Sequence, residues 1–152
     1  GSDSTSVHDR VLAQMLNELD GIEPLKSVLF LAATNRPDII DKALMRPGRI
    51  DQAIYISPPD VSARKRIFEI SLKKIPHSPD LDINQLVSLT SGFSGAEVTS
   101  ACREAALAAL QENINSELVE TRHFVTAISS IVPTITESMV AFYQNFANAK
   151  RT

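Results

Sequence analysis

The sequence predicts an α/β half-domain followed by an all-α bundle. Three observations carry this: an unbroken apolar run at 28–33 that ends on polar residues, a second short apolar segment at 52–56 that ends at Pro58-Pro59, and helical periodicity from Asp60 onward with no strand pattern. The breaks within that later part fall at Pro76, Pro79, Gly92 and Pro133. The composition changes at Pro58-Pro59, so the expected division is 1–58 and 59–152.

The first element reads as a helix, because Val11, Leu12, Met15, Leu16 and Leu19 recur at helical spacing. Ser6 and Asp9 stand in the Ser-x-x-acid arrangement of a capped start, and Gly21 ends the pattern. After a polar turn at 23–26, Val28-Leu29-Phe30-Leu31-Ala32-Ala33 shows no alternation, as expected of a strand covered on both faces of a parallel sheet. Thr34-Asn35 sets polar groups at that strand's carboxyl end, where ligands bind in open α/β sheets. Pro37 opens a short helix through about Met45, the turn Arg46-Pro47-Gly48-Arg49 follows, and the second strand occupies 52–56. Such a pair cannot form a complete sheet, since each strand leaves a hydrogen-bonding edge and an apolar face uncovered. The partners are expected upstream of residue 1. Beyond Asp60 the helices fall at about 60–75, 82–90, 95–115, 121–131 and 136–148. The third of these carries Val98, Cys102, Ala105 and Ala109 on one stripe, small enough for another helix to approach closely.

Bulk properties narrow the function. The 152 residues are 43% hydrophobic, enough for a real core, and the net charge of −3 gives no broad reason to expect nucleic acid or an anionic membrane as partner. No stretch reaches the roughly 20 apolar residues of a membrane span. A soluble, intracellular protein, cytoplasmic or nuclear, is the expectation. Cys102, the one cysteine, sits among alanines and reads as a small buried hydrophobe in a reducing compartment. His8, His77 and His123 show no ligand spacing to cysteine or carboxylate, so no metal site is expected, and no nucleophile motif is present.

Four places could carry chemistry. The Asn35 amide both donates and accepts, so it suits orienting a water against a phosphate oxygen, although the dipeptide alone reads more readily as a strand-ending turn. Arg46 and Arg49 flank Pro47-Gly48 and would present planar donors suited to phosphate, or else pair with Asp41 or Asp51. Ser94-Gly95-Ala96-Glu97 is a capping box whose small residues would also let a planar ligand such as adenine approach a helix start. Phe142, Tyr143 and Phe146 form an aromatic cluster near the end, either core or a docking face for another subunit.

Taken together, the blocks Asp9-Arg10-Val11-Leu12-Ala13-Gln14, Leu19-Asp20-Gly21, Ala33-Thr34-Asn35-Arg36-Pro37-Asp38, Arg46-Pro47-Gly48-Arg49-Ile50-Asp51 and Gly92-Phe93-Ser94-Gly95-Ala96-Glu97 resemble the AAA clade of AAA+ ATPases, most nearly the C-terminal ATPase domains of two-ring members of the valosin-containing-protein and spermatogenesis-associated ribosome-maturation type. The resemblance implies the C-terminal part of a P-loop NTPase parallel-sheet domain followed by a helical lid. It implies that Asn35 is the sensor-1 residue, that Arg46 and Arg49 are arginine fingers acting on a neighbouring subunit's nucleotide, and that Gly95 and Ala96 form the sensor-2 region. It places Ile67 and Ser71 against adenine and residues 1–6 at the end of the second pore loop. The implied cofactor is ATP with Mg²⁺, and the implied setting is a homo-hexameric remodelling machine with a protein substrate or adaptor as partner, in ribosome maturation or protein-complex disassembly. The pattern departs in one respect: no Gly-x-x-x-x-Gly-Lys-Ser/Thr loop and no acidic Walker B pair occur, so the chain alone is expected to be inactive. The alternative is a non-catalytic helical interaction module.

Overall fold

The computed structural model describes residues 3–19 and 29–149. Helix α1 runs over Asp3–Leu19, and α2 to α5 over Val61–Leu72, Ile83–Leu89, Gly95–Glu112 and Thr121–Ser130, with α6 at Glu137–Ala149. The described residues fall into two compact units. One gathers those up to Tyr55 with those from Asn145 on, and the other is Ile56–Gln144.

The second unit builds its own core. Phe68 of α2, Leu86 of α3, Val98 of α4 and Phe124 of α5 are each fully excluded from solvent, as are Ala101 and Ala105. Helix α4 lies between α2 and α5, and α3 packs on α2 and α5. The alanine face explains this placement, because small side chains let α5 come close to α4. Each helix start is written in the sequence. Asp60 accepts the Ala63 amide at 2.7 Å, Asp82 accepts the Asn84 amide at 2.8 Å, and Ser94 with Glu97 closes a reciprocal box. At α5 the same device uses a histidine: the Glu120 amide donates to His123 Nδ1 at 3.0 Å, while the other ring nitrogen donates to Glu112 at 2.7 Å. The loops before α3 and α5 meet in a single parallel bridge between His77 and Val119.

In the first unit the outcome differs from the sequence reading. Helix α1 already includes Asp3 to Ser6, so Ser6 is inside the helix rather than its cap, and residues 3–6 are not loop. The stop at Gly21, the turn at 23–26 and Val28 lie outside the described residues. Residues 29–34 and 52–56, expected as strands, carry no regular secondary structure and pair into no sheet among the described residues. A strand is held by a neighbour's ladder, and without one the apolar run stands in solvent: Leu29, Leu31 and Ile54 are 86–87% exposed. The helix expected from Pro37 to Met45 is a 3-10 turn at Pro37–Ile39 followed by separate turns. Asp41 takes the Ala43 amide at 2.7 Å on its side chain, and this local bond competes with helix continuation.

Candidate functional site

Asn35 is exposed at the bend that follows the apolar run. The local frame is made by its neighbours. Thr34 Oγ1 accepts the Arg36 amide at 2.9 Å, and Arg36 grips Asp38 with two parallel bonds of 2.9 and 2.7 Å. That fork, helped by the Asp38 backbone amide, outweighs desolvation and holds the Asp38 carboxyl below the usual carboxylate range.

Arg46 and Arg49 are joined by one turn. The Arg49 amide donates to the Arg46 carbonyl at 3.1 Å, with Pro47 second and Gly48 third at φ +86°. This is the residue pattern of a type II turn, which requires the left-handed backbone that glycine supplies. The two guanidiniums then part. Arg49 folds back and donates from Nη1 to the Ala43 carbonyl at 2.6 Å, whereas Arg46 is exposed and pairs with neither Asp41 nor Asp51 among the described residues. Sequence spacing could not tell these two roles apart.

In the second unit, Ile67, Ser71 and Gly95 converge. A groove of about 410 Å³ runs between α2 and α4, lined by Ile67, Ile70, Ser71, Lys74, Ile75, Thr99, Cys102 and Arg103. Gly95 stands at the Ile67 end, where an added Cβ would lie 3.4 Å from Ile67 Cδ1. Ala96 is exposed beside it and does not line the groove. Burial pushes the Cys102 thiol up to about 11, against a hydrogen bond with Ser71. It is therefore an inert part of the floor rather than a nucleophile. Lys74 and Arg103, which set two cations at the far end, were missed in the sequence. The signal was available for Lys74, because Ile67, Ile70 and Ser71 share one side of α2 and Lys74 continues their spacing just past its end.

The groove is mostly apolar, with the Ser71 and Thr99 hydroxyls and the Lys74 and Arg103 cations on its walls, which suits a planar ring joined to an anionic group. Among the described residues no group of histidine, cysteine and carboxylate side chains converges as a metal site. None of the described helices is long and apolar enough to cross a membrane.

Comparison with known proteins adds two family matches. The model for the ATPase family associated with various cellular activities (AAA) matches residues 1–58, and that for the AAA+ lid domain matches residues 80–126. The chain is 52% identical over 141 residues to the human ATPase family gene 2 protein homolog A, covering 93% of this chain and 16% of the relative. It is 46% identical to the Schizosaccharomyces pombe ATPase family gene 2 protein, covering 98% of this chain and 18% of that one. It is 43% identical to the Arabidopsis thaliana cell division control protein 48 homolog B, covering 99% and 25%. The chain thus spans 16–25% of the length of these relatives.

Proposed function

Because the chain belongs to the AAA family of ATPases and carries the AAA+ lid, we propose that it works as the sensor, finger and lid portion of a longer ATP-hydrolysing remodelling machine. The observation that carries this is the groove lined by Ile67 and Ser71, with Gly95 placed next to Ile67. In this reading the adenine ring lies against Ile67 and Ser71, and the Gly95-Ala96 backbone leaves room for it. The first turn of α4 adds the favourable end of a helix dipole.

The rest of the division of labour follows from the first unit. Asn35 orients the attacking water of the chain's own nucleotide. Arg46, exposed at the head of its turn, reaches a neighbouring subunit's γ-phosphate, while Arg49 braces the same loop through Ala43 and stands ready as a second finger. The runs at 29–34 and 52–56 become strands of a parallel P-loop NTPase sheet once they pair with strands of the longer protein. The division at 1–58 and 59–152 then corresponds to sheet part and lid. Assembly is a homo-hexamer, and the substrate is a protein or protein complex, with ribosome maturation or disassembly as the process.

The test is an amide titration of the chain with adenosine diphosphate. Weak, fast-exchanging shifts confined to Ser71, Gly95, Ala96 and Thr99 are expected. Scattered shifts, or none at millimolar ligand, would sink the base-site reading, as would hydrolysis by the chain alone that survives Asn35→Ala.

A second reading, a non-catalytic helical interaction module, rests on α6, where Met139 and Phe142 are 42% and 44% exposed. Light scattering of the chain at high concentration decides it. A strict monomer removes its self-association version.

A further inference from the structure

The first turn of α4 is fastened by one carboxylate at two places. Glu97 Oε2 accepts the Ser94 amide at 2.6 Å, which completes the capping box. Glu97 Oε1 accepts both the amide and the hydroxyl of Thr134, each at 2.7 Å, from a residue 37 positions along the chain. A capping box needs only its own helix, so the two Thr134 bonds are additional to what the helix start requires. Burial works against the charged form here, yet the Ser94 amide and the Thr134 hydroxyl and amide more than offset it, and the carboxyl stays below the usual glutamate range.

Thr134 lies in the extended strap at 131–136 that leads from α5 into α6. Helix α6 starts just beyond it, with Thr136 Oγ1 accepting the Met139 amide at 3.3 Å. The extensively packed helix pairs of the second unit involve α2, α3, α4 and α5, and α6 is not among them. The strap therefore has an anchor of its own on α4, and that anchor stands two residues from Gly95.

We propose that Glu97 is a positioning residue that latches the 131–136 strap to the base-facing end of α4, so that ligand contact at Gly95-Ala96 and the placement of α6 are coupled. The coupling rests on the base-site reading given above, whereas the latch does not. A ring pressed against Gly95 and Ala96 fixes the first turn and with it the aim of Oε1 at Thr134. Withdrawal of the strap removes two of the three donors on Glu97 and frees the turn. Because coupling is reciprocal, whatever holds α6 also tunes the groove.

The experiment is residue-resolved hydrogen exchange on the chain as it stands. Without nucleotide, Thr134→Val deletes one donor from an exposed residue and leaves Ser94 and the capping box intact. Exchange at 134–140 is expected to rise about fivefold, the size of one lost hydrogen bond, while α4 from Val98 onward stays unchanged and Thr134→Ser restores the original rate. Unchanged exchange at 134–140 in Thr134→Val overturns the latch. With millimolar adenosine diphosphate, the natural chain is expected to gain protection at 134–140, and Thr134→Val to keep its shifts at Ser71 and Gly95 while losing that gain. Equal protection in both overturns the coupling. Absence of shifts at Ser71 and Gly95 overturns the base-site reading and the coupling with it, and the first arm still decides the latch.

Discussion

The two units of this chain treat apolar residues in opposite ways. In the second, Phe68, Leu86, Val98 and Phe124 are wholly buried, while in the first, Leu29, Leu31 and Ile54 are 86–87% exposed. The residue types are alike, so the difference lies in how each backbone is satisfied. A helix closes its hydrogen bonds within a few residues and needs only one face covered, so four short helices can complete a core among themselves. An extended segment closes nothing by itself and must borrow a ladder. Function divides the same way in our proposal: the self-sufficient unit holds the groove between α2 and α4, and the dependent one carries Asn35 and Arg46 for chemistry that needs other parts of the assembly.

The strongest way to break this comparison is Arg46→Ala in the full-length protein. Turnover is expected to fall on the order of a thousandfold with nucleotide affinity nearly unchanged, because a finger acts on the transition state in trans. Parallel losses in turnover and affinity, measured by steady-state hydrolysis and equilibrium binding, would make the loop a folding element instead. Arg49→Ala should show some of that mixed behaviour, since it also removes the brace on Ala43.

Next in size is a pair of truncations read by urea denaturation of the chain. Phe124→Ala should cost about 3–5 kcal/mol, the usual penalty for emptying a buried aromatic site. Leu31→Ala should stay within about 0.5 kcal/mol, as at other exposed positions. Similar losses for both would show that the first unit buries more than the exposure of its apolar run implies.

The pH dependence sharpens the picture within the second unit. The Glu97 carboxyl is depressed in the folded chain, so its contribution is complete above the ordinary glutamate range and is lost as pH falls through the folded value. Urea midpoints for the natural chain and Glu97→Gln should therefore differ at neutral pH and converge under acid. A gap that persists at low pH would assign the effect to shape rather than charge.

The smallest stability change is expected for Gly95→Ala. The new Cβ would make an ordinary contact with Ile67 at 3.4 Å, and alanine suits a helix better than glycine, so stability should hold within about 0.5 kcal/mol. Adenosine-induced shifts at Ser71 should nonetheless vanish. Their survival would mean that the ring, if bound, does not approach this backbone.

What the sequence revealed follows the same line. Helices α2 to α5 were legible to within a few residues because Asp60, Asp82 and Ser94 announce their starts at short range. The buried stripe of Val98, Cys102, Ala105 and Ala109 was legible from spacing alone. The runs read as strands pair into no sheet among the described residues, since pairing is a property of a neighbour and not of the run itself. Asp41 hid the interruption of the short helix, because a carboxylate bonding its own backbone looks in sequence like any exposed acid. Thr134 gave no signal at all. Its partner lies 37 residues away, and nothing local marks it.

Arg64 was equally silent, and it has a mechanical consequence. Its guanidinium is buried, donates to the Pro59 carbonyl at 3.0 Å and reaches toward the Val87 carbonyl at 3.5 Å, with Nε finding no acceptor among the described residues. The diproline before α2 is consequently not a slack tether. A pull on Pro59 is delivered through one rigid cation to the end of α3 as well as to α2, so two helices share the strain instead of one peeling away alone. That junction is a cleat for two helices of the bundle.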